Sequence, residues 1–231
     1  MYNEAMSFAQ RCRTVLTPGY NNTGDQYLYM LPLLSQVRLG KWQEIIADQS
    51  RPDEQWTYAG ILYNFAKGMA YVRMGNIVMA QQELAALREK ETDTILKVRD
   101  YPFNTPYEGA VIAENILSAN ILFAEKKYAA ALNEIHQAIA IEDNLIYVEP
   151  RDWMLPARQY LGAFLLQMNQ PEAAEKVYHE DQQFNPGTGW SLLGLYQSLV
   201  AQNKENEAET YRQQYLVSFS HAAEIPPASA Y

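Results

Sequence analysis

Apolar residues recur at i, i+3, i+4 and i+7 along most of this 231-residue chain, and strict period-two alternation is scarce. Ala, Leu, Gln and Glu fill the periodic stretches, all residues that cost little in a helix. The pattern predicts a leading helix over Glu4–Leu16, ended by Thr17-Pro18-Gly19, and then helices in pairs. The pairs are Gln26–Leu39 with Lys41–Asp48, Glu54–Met74 with Ile77–Glu91, and Glu108–Ala124 with Tyr128–Ile141. Trp153–Met168 with Pro171–Gln183 and Gly189–Ala201 with Asn206–Phe219 complete them. Pro32 is expected to kink its helix or delay its start, and Asp152 to cap the helix opening at Trp153. The organisation expected is a leading helix and turn at 1–19, a helical repeat domain at 20–220 and a loose or surface-docked tail at 221–231 carrying Pro226-Pro227.

Three of the pairs share an internal spacing; in the first pair Ile45 stands where a small residue is expected, and in the last Ala208 lies two positions late. A small residue is followed twelve positions on by another, and four later by an apolar one: Gly68, Ala80, Leu84; Ala119, Ala131, Ile135; Gly162, Ala174, Tyr178. Gly68 and Ala80 are expected to let two helix backbones approach, with Gly75 making the tight turn between them. This pattern resembles the tetratricopeptide repeat. The resemblance implies an all-α fold, a right-handed α-α superhelix of about five antiparallel helix pairs, and a surface for holding a partner. From Gly68 to Ala119 is 51 residues and from Ala119 to Gly162 is 43, against a standard period of about 34. The extra residues fall around Lys90–Tyr107 and Asn144–Trp153, where insertions set specificity.

Over Glu142–Leu199 the chain further resembles the C-terminal half of a widespread group of larger bacterial tetratricopeptide-repeat proteins. The segments that carry this are EDNLIYVEP, Trp153, Pro156, RQYLGAFLL, EAAEKVYHED and GWSLLGLYQSL, with VRLGKWQEII at Val37–Ile46 matching an earlier part. Thr188-Gly189 stands where the group tends to have Asn-Gly. The resemblance implies that this is a C-terminal piece of a longer protein, and it names no activity.

A formal net charge of -9 argues against nucleic-acid binding, which needs a basic face. No apolar run reaches the roughly 20 residues that span a bilayer. The single Cys12 excludes an intrachain disulfide. The first residues lack a basic stretch before an apolar core, so they do not read as a signal peptide. The compartment stays open. There is no HExxH, GxxxxGK[ST], GxSxG or CxxC motif. His136 and His179 fall on outward positions of second helices. No enzyme activity, metal or cofactor is therefore expected.

The first helix of each pair should line a concave face. That places Leu62, Phe65, Met69 and Arg73 there from one pair and Ile116, Asn120 and Phe123 from the next. The face is unusually apolar for one open to water: either a peptide or helix partner binds it, or the chain's own leading helix or tail fills it. Asn120 alone sits where chaperone-binding members carry Lys and Asn, which disfavours that role. The insertion DNLIYVEPRDWMLPAR concentrates Tyr147, Glu149, Arg151, Trp153 and Arg158. It reads either as structure, with Glu149 paired to Arg158 and Trp153 plugging a gap, or as a rigid recognition patch of Tyr147, Glu149, Trp153 and Arg158. The leading expectation is a non-enzymatic protein–protein interaction module. The alternative is part of a larger small-molecule-binding or catalytic protein whose site needs a missing N-terminal half. Self-association through apolar surface at the leading helix is a further expectation.

Overall fold

A computed structural model of the chain describes residues 2–99, 104–149, 151–222 and 224–230. Pro150, expected to stiffen the inserted loop, lies outside them. The protein is all-α: eleven α-helices, 71% of residues helical, and no strand among the described residues. They are α1 (Tyr2–Val15), α2 (Thr23–Arg38), α3 (Trp42–Ala47), α4 (Thr57–Arg73), α5 (Ile77–Lys90), α6 (Pro106–Ala124), α7 (Tyr128–Asn144), α8 (Ala157–Gln167), α9 (Pro171–Phe184), α10 (Gly189–Ala201) and α11 (Glu205–Ser218). A 3-10 turn at Thr94–Lys97 follows α5.

After α1 the helices pair in sequence, and every pair is joined by the same turn. Gly40, Gly75, Lys126, Asn169 and Asn203 all have φ between 57° and 76°. The next residue of each turn donates its N–H to the carbonyl five positions back: Lys41 to Gln36, Asn76 to Tyr71, Lys127 to Leu122, Gln170 to Leu165 and Lys204 to Leu199. This double-bonded left-handed cap satisfies carbonyls that the helix end leaves open. Glycine and asparagine suit it, and Lys126 is the misfit.

Helix starts show where local chemistry overrode periodicity. α2 begins at Thr23, earlier than expected, because the Asn22 side chain accepts the Asp25 N–H at 3.1 Å; the helix then runs through Pro32 to Arg38. α6 opens at Pro106 on a capping box in which the Glu108 carboxylate takes the Thr105 N–H at 2.9 Å. α8 begins at Ala157, not Trp153, because Pro156 supplies its N-terminal boundary. Asp152 caps nothing; its carboxylate accepts from Asn104.

The chain forms two compact units, Asn3–Met154 and Leu155–Tyr231. In the first, α4 is the central helix, packed by α2, α3, α5 and α6. Gly68 on α4 makes room for the neighbouring pair: a Cβ there would stand 2.6 Å from Leu117 of α6. Two buried polar side chains stitch this unit. Gln26 donates to the Gly19 carbonyl and accepts the N–H groups of Tyr58 and Ala59 at the start of α4. The Lys67 ammonium takes the carbonyls of Ile45, Ile46 and Asp48 at 2.7–3.1 Å, closing the C-terminal end of α3. Burial lowers the Lys67 pKa, with Asp48 and Glu83 opposing the shift.

In the second unit, α8 and α10 both pack on α9. The end of the chain, expected to be loose or surface-docked, is docked there: Ser229 is fully buried and Ala230 nearly so.

Candidate functional site

Most of the positions expected to line an open apolar groove are buried. Leu62, Phe65, Met69 and Ile116 are all 0% exposed, and Asn120 is 2% exposed. All five are core, the four apolar side chains contributing about 1.5–3 kcal/mol each by burial. The face of α4 that carries Leu62, Phe65 and Met69 is covered within its own unit, where α2 and α3 pack on α4 and Trp153 sets its indole edge-on against Phe65 at 5.5 Å. Arg73 is half-buried and donates to the Asn120 side chain at 2.8 Å, while Asn120 donates back to the Ile116 carbonyl. Phe123, half-buried, packs on Tyr128 at 5.0 Å. These seven positions hold helices together.

The inserted loop divides the same way. Trp153 is 2% exposed and belongs to the core. Arg158 is buried with its guanidinium 4.3 Å over the Phe184 ring. Tyr147 and Glu149 are exposed, as is Ile146. The Tyr147 hydroxyl donates to the Glu149 carboxylate, and the Arg151 guanidinium lies 5.3 Å over the Tyr147 ring. An aromatic side chain standing in solvent is thus held at its hydroxyl and at one face.

What fixes this loop is Asn104, which the sequence pattern did not single out. Its Nδ2 donates to the Ile146 carbonyl at 2.8 Å and to the Asp152 carboxylate at 2.6 Å, and its Oδ1 accepts the Ile146 N–H at 2.8 Å. The two insertions foreseen from the repeat spacing therefore meet, one clasping the other. The only foreshadowing was the pair of long gaps.

Beneath the clasp lies a cleft of about 50 Å³ between Tyr27, Tyr58, Asn104, Asp152 and Trp153. Tyr27 and Tyr58 stack at 6.1 Å, and Gly109 makes room for the Tyr58 hydroxyl, which a Cβ there would meet at 2.2 Å. Burial pushes both phenols above their ordinary range, and the Asp152 charge adds to it, so both stay protonated donors. The cleft is sized for a few water molecules, against the several hundred Å³ (roughly 300 or more) of a typical ligand pocket.

Elsewhere His136 and His179 are exposed, as expected, and so is Cys12. No cluster of three or more His, Cys, Asp or Glu able to hold a metal occurs among the described residues. No helix is long and apolar enough to cross a membrane, again among the described residues. Compared with protein-family models, curated proteins and solved structures, the chain matches none of them.

Proposed function

We propose that this chain is a non-enzymatic protein–protein interaction module built from tetratricopeptide-like helix pairs, and that it recognises its partner through the 144–153 loop rather than through a groove. Tyr147 carries this reading: it is 62% exposed, yet held by Glu149 and Arg151 on a loop pinned by Asn104. A side chain already ordered in the free protein loses little entropy on binding. Tyrosine and arginine are also the residue types that carry most interface energy. Ile146, 50% exposed beside it, extends the apolar centre, and Glu149 and Arg151 supply a polar rim. The five like turns support the repeat reading, and the net charge of -9 favours protein over nucleic acid as partner.

The test places a photo-crosslinking residue at Tyr147 and, as a control, at Val217 of α11, which is 74% exposed. Irradiation in an extract of the source organism should give a discrete protein adduct from position 147 and none from 217. A chain that gives no discrete adduct at 147 refutes the proposal.

A further inference from the structure

The second unit carries a different feature, independent of the loop. Residues 224–230 form a non-helical segment whose end is seated on α8, α9 and α10. The Ser229 hydroxyl donates to the Gln159 carbonyl of α8 at 3.0 Å and receives the Tyr178 hydroxyl of α9 at 2.6 Å. Upstream, the Gln197 amide of α10 donates to the Pro227 carbonyl at 2.7 Å.

Tyr178 reaches Ser229 through a slot built for it. A Cβ on Gly162 of α8 or on Gly194 of α10 would each stand 2.3 Å from the Tyr178 ring. Two glycines on facing helices thus admit one tyrosine ring whose hydroxyl ends on the tail. The seat reads its occupant in two ways. Gln197 takes a backbone carbonyl, which any sequence offers. The Tyr178–Gln159 pair takes a small hydroxyl side chain in a fully buried position, which few residues fit. Pro226 and Pro227 restrict the backbone before it seats, lowering the entropic cost of docking.

We propose that this seat is a peptide-binding site occupied in cis by the chain's own tail, and that its partner is an extended peptide of the same chemistry: a proline followed two residues later by serine. The tail holds through a handful of hydrogen bonds worth about 0.5–1.5 kcal/mol each and through tethering, which sets its effective concentration near the millimolar range. It is a competitor that a peptide in trans can displace. A second copy's tail is the rival occupant.

The probe is a fluorescein-labelled synthetic peptide, AAEIPPASAY, titrated by anisotropy against full-length chain and against full-length Ser229→Trp, whose bulk cannot enter the seat. The peptide should bind Ser229→Trp at least about tenfold tighter than wild type, because the wild-type site is free only a small fraction of the time. The same peptide with Trp in place of its serine should bind neither. In parallel, saturating peptide should accelerate amide exchange at 224–230 of the wild-type chain, a readout that stands even where Ser229→Trp misfolds. Unchanged exchange at saturation, or no binding to a folded Ser229→Trp, overturns the proposal. So does a concentration-dependent wild-type dimer that the peptide dissociates, which would assign the seat to a second copy's tail.

Discussion

Asn104 pairs with the backbone of Ile146 along both edges of its amide, Nδ2 to the carbonyl and Oδ1 to the N–H, each at 2.8 Å. The two residues are 42 positions apart and sit in the two stretches by which this chain exceeds the regular repeat spacing. A side chain here does what a neighbouring strand would do, satisfying a donor and an acceptor of a loop that has no secondary structure of its own. The exposed face of that loop is ordered by a residue from the other insertion.

Replacing Asn104 by Ala removes the bonds to Ile146 and Asp152 together. We expect a loss of about 1–3 kcal/mol, faster amide exchange over residues 145–149, and unchanged helical circular dichroism. Exchange that stays at the wild-type rate would mean the loop is held by other contacts. Crosslinking from position 147 should fall in the same variant.

Trp153 and Tyr147, six residues apart, should separate cleanly. Trp153→Ala empties a site packed against Phe65 and should cost about 3–5 kcal/mol in urea unfolding. Tyr147→Ala removes a side chain that is itself 62% exposed and should stay within about 0.5 kcal/mol of wild type, while losing the adduct-forming partner. Equal destabilisation by both would place Tyr147 in the core and remove the recognition surface.

Most helices were legible because apolar period and turn residues agreed: α5 opens at Ile77, α9 at Pro171 and α10 spans Gly189–Ala201 as expected. What could not be read was which apolar stripe faces water. Leu62, Phe65 and Met69 have the spacing of a groove and of a core alike, and only the packing of α2, α3 and Trp153 decides between them. Gly68 shows the same limit, since a small residue reports close approach without saying of what, and the atoms nearest it belong to Leu117 of α6. Asn104 belongs to no periodic pattern. The tail has the composition of a loose end, and its anchor, Tyr178, lies 51 positions away.

Lys67 closes α3 with three hydrogen bonds from one buried ammonium. Lys67→Met keeps the aliphatic stem and strands three carbonyls, so a loss of about 2–4 kcal/mol is expected in denaturant unfolding. Protection of amides in α3 should fall first, because six residues without a terminal cap do not hold a helix. A loss under about 0.5 kcal/mol would show that those carbonyls find other donors.

Glu91, at the end of α5, has its carboxyl pushed from an ordinary 4.5 up to about 8, first by burial and then by Glu114, with Arg88 opposing. Glu134 is raised as well, by burial and by Glu114. The folded state binds the Glu91 proton more tightly than the unfolded state does. The group therefore costs nothing below pH 4.5, destabilises progressively as pH rises towards 8, and imposes its full penalty above that. Glu91→Gln should leave the midpoint near wild type at pH 4.5 and raise it at pH 8.5 and above. A variant curve parallel to wild type across that range would show that Glu91 is not protonated in the fold.

The five shared turns allow a test at constant geometry. Gly75, at φ 76°, has open space where a Cβ would go, so Gly75→Ala meets no clash and should cost only the left-handed strain, about 1 kcal/mol. Lys126 already bears that strain at φ 62°, and Lys126→Gly should return most of it, stabilising by about 0.5–1 kcal/mol despite the greater freedom glycine gives the unfolded chain. Opposite signs at the two positions are what a common turn demands. If both substitutions destabilise, the Lys126 side chain supports its helix by a contact that outweighs the backbone strain, and the turns are alike in dihedral angle but not in energy.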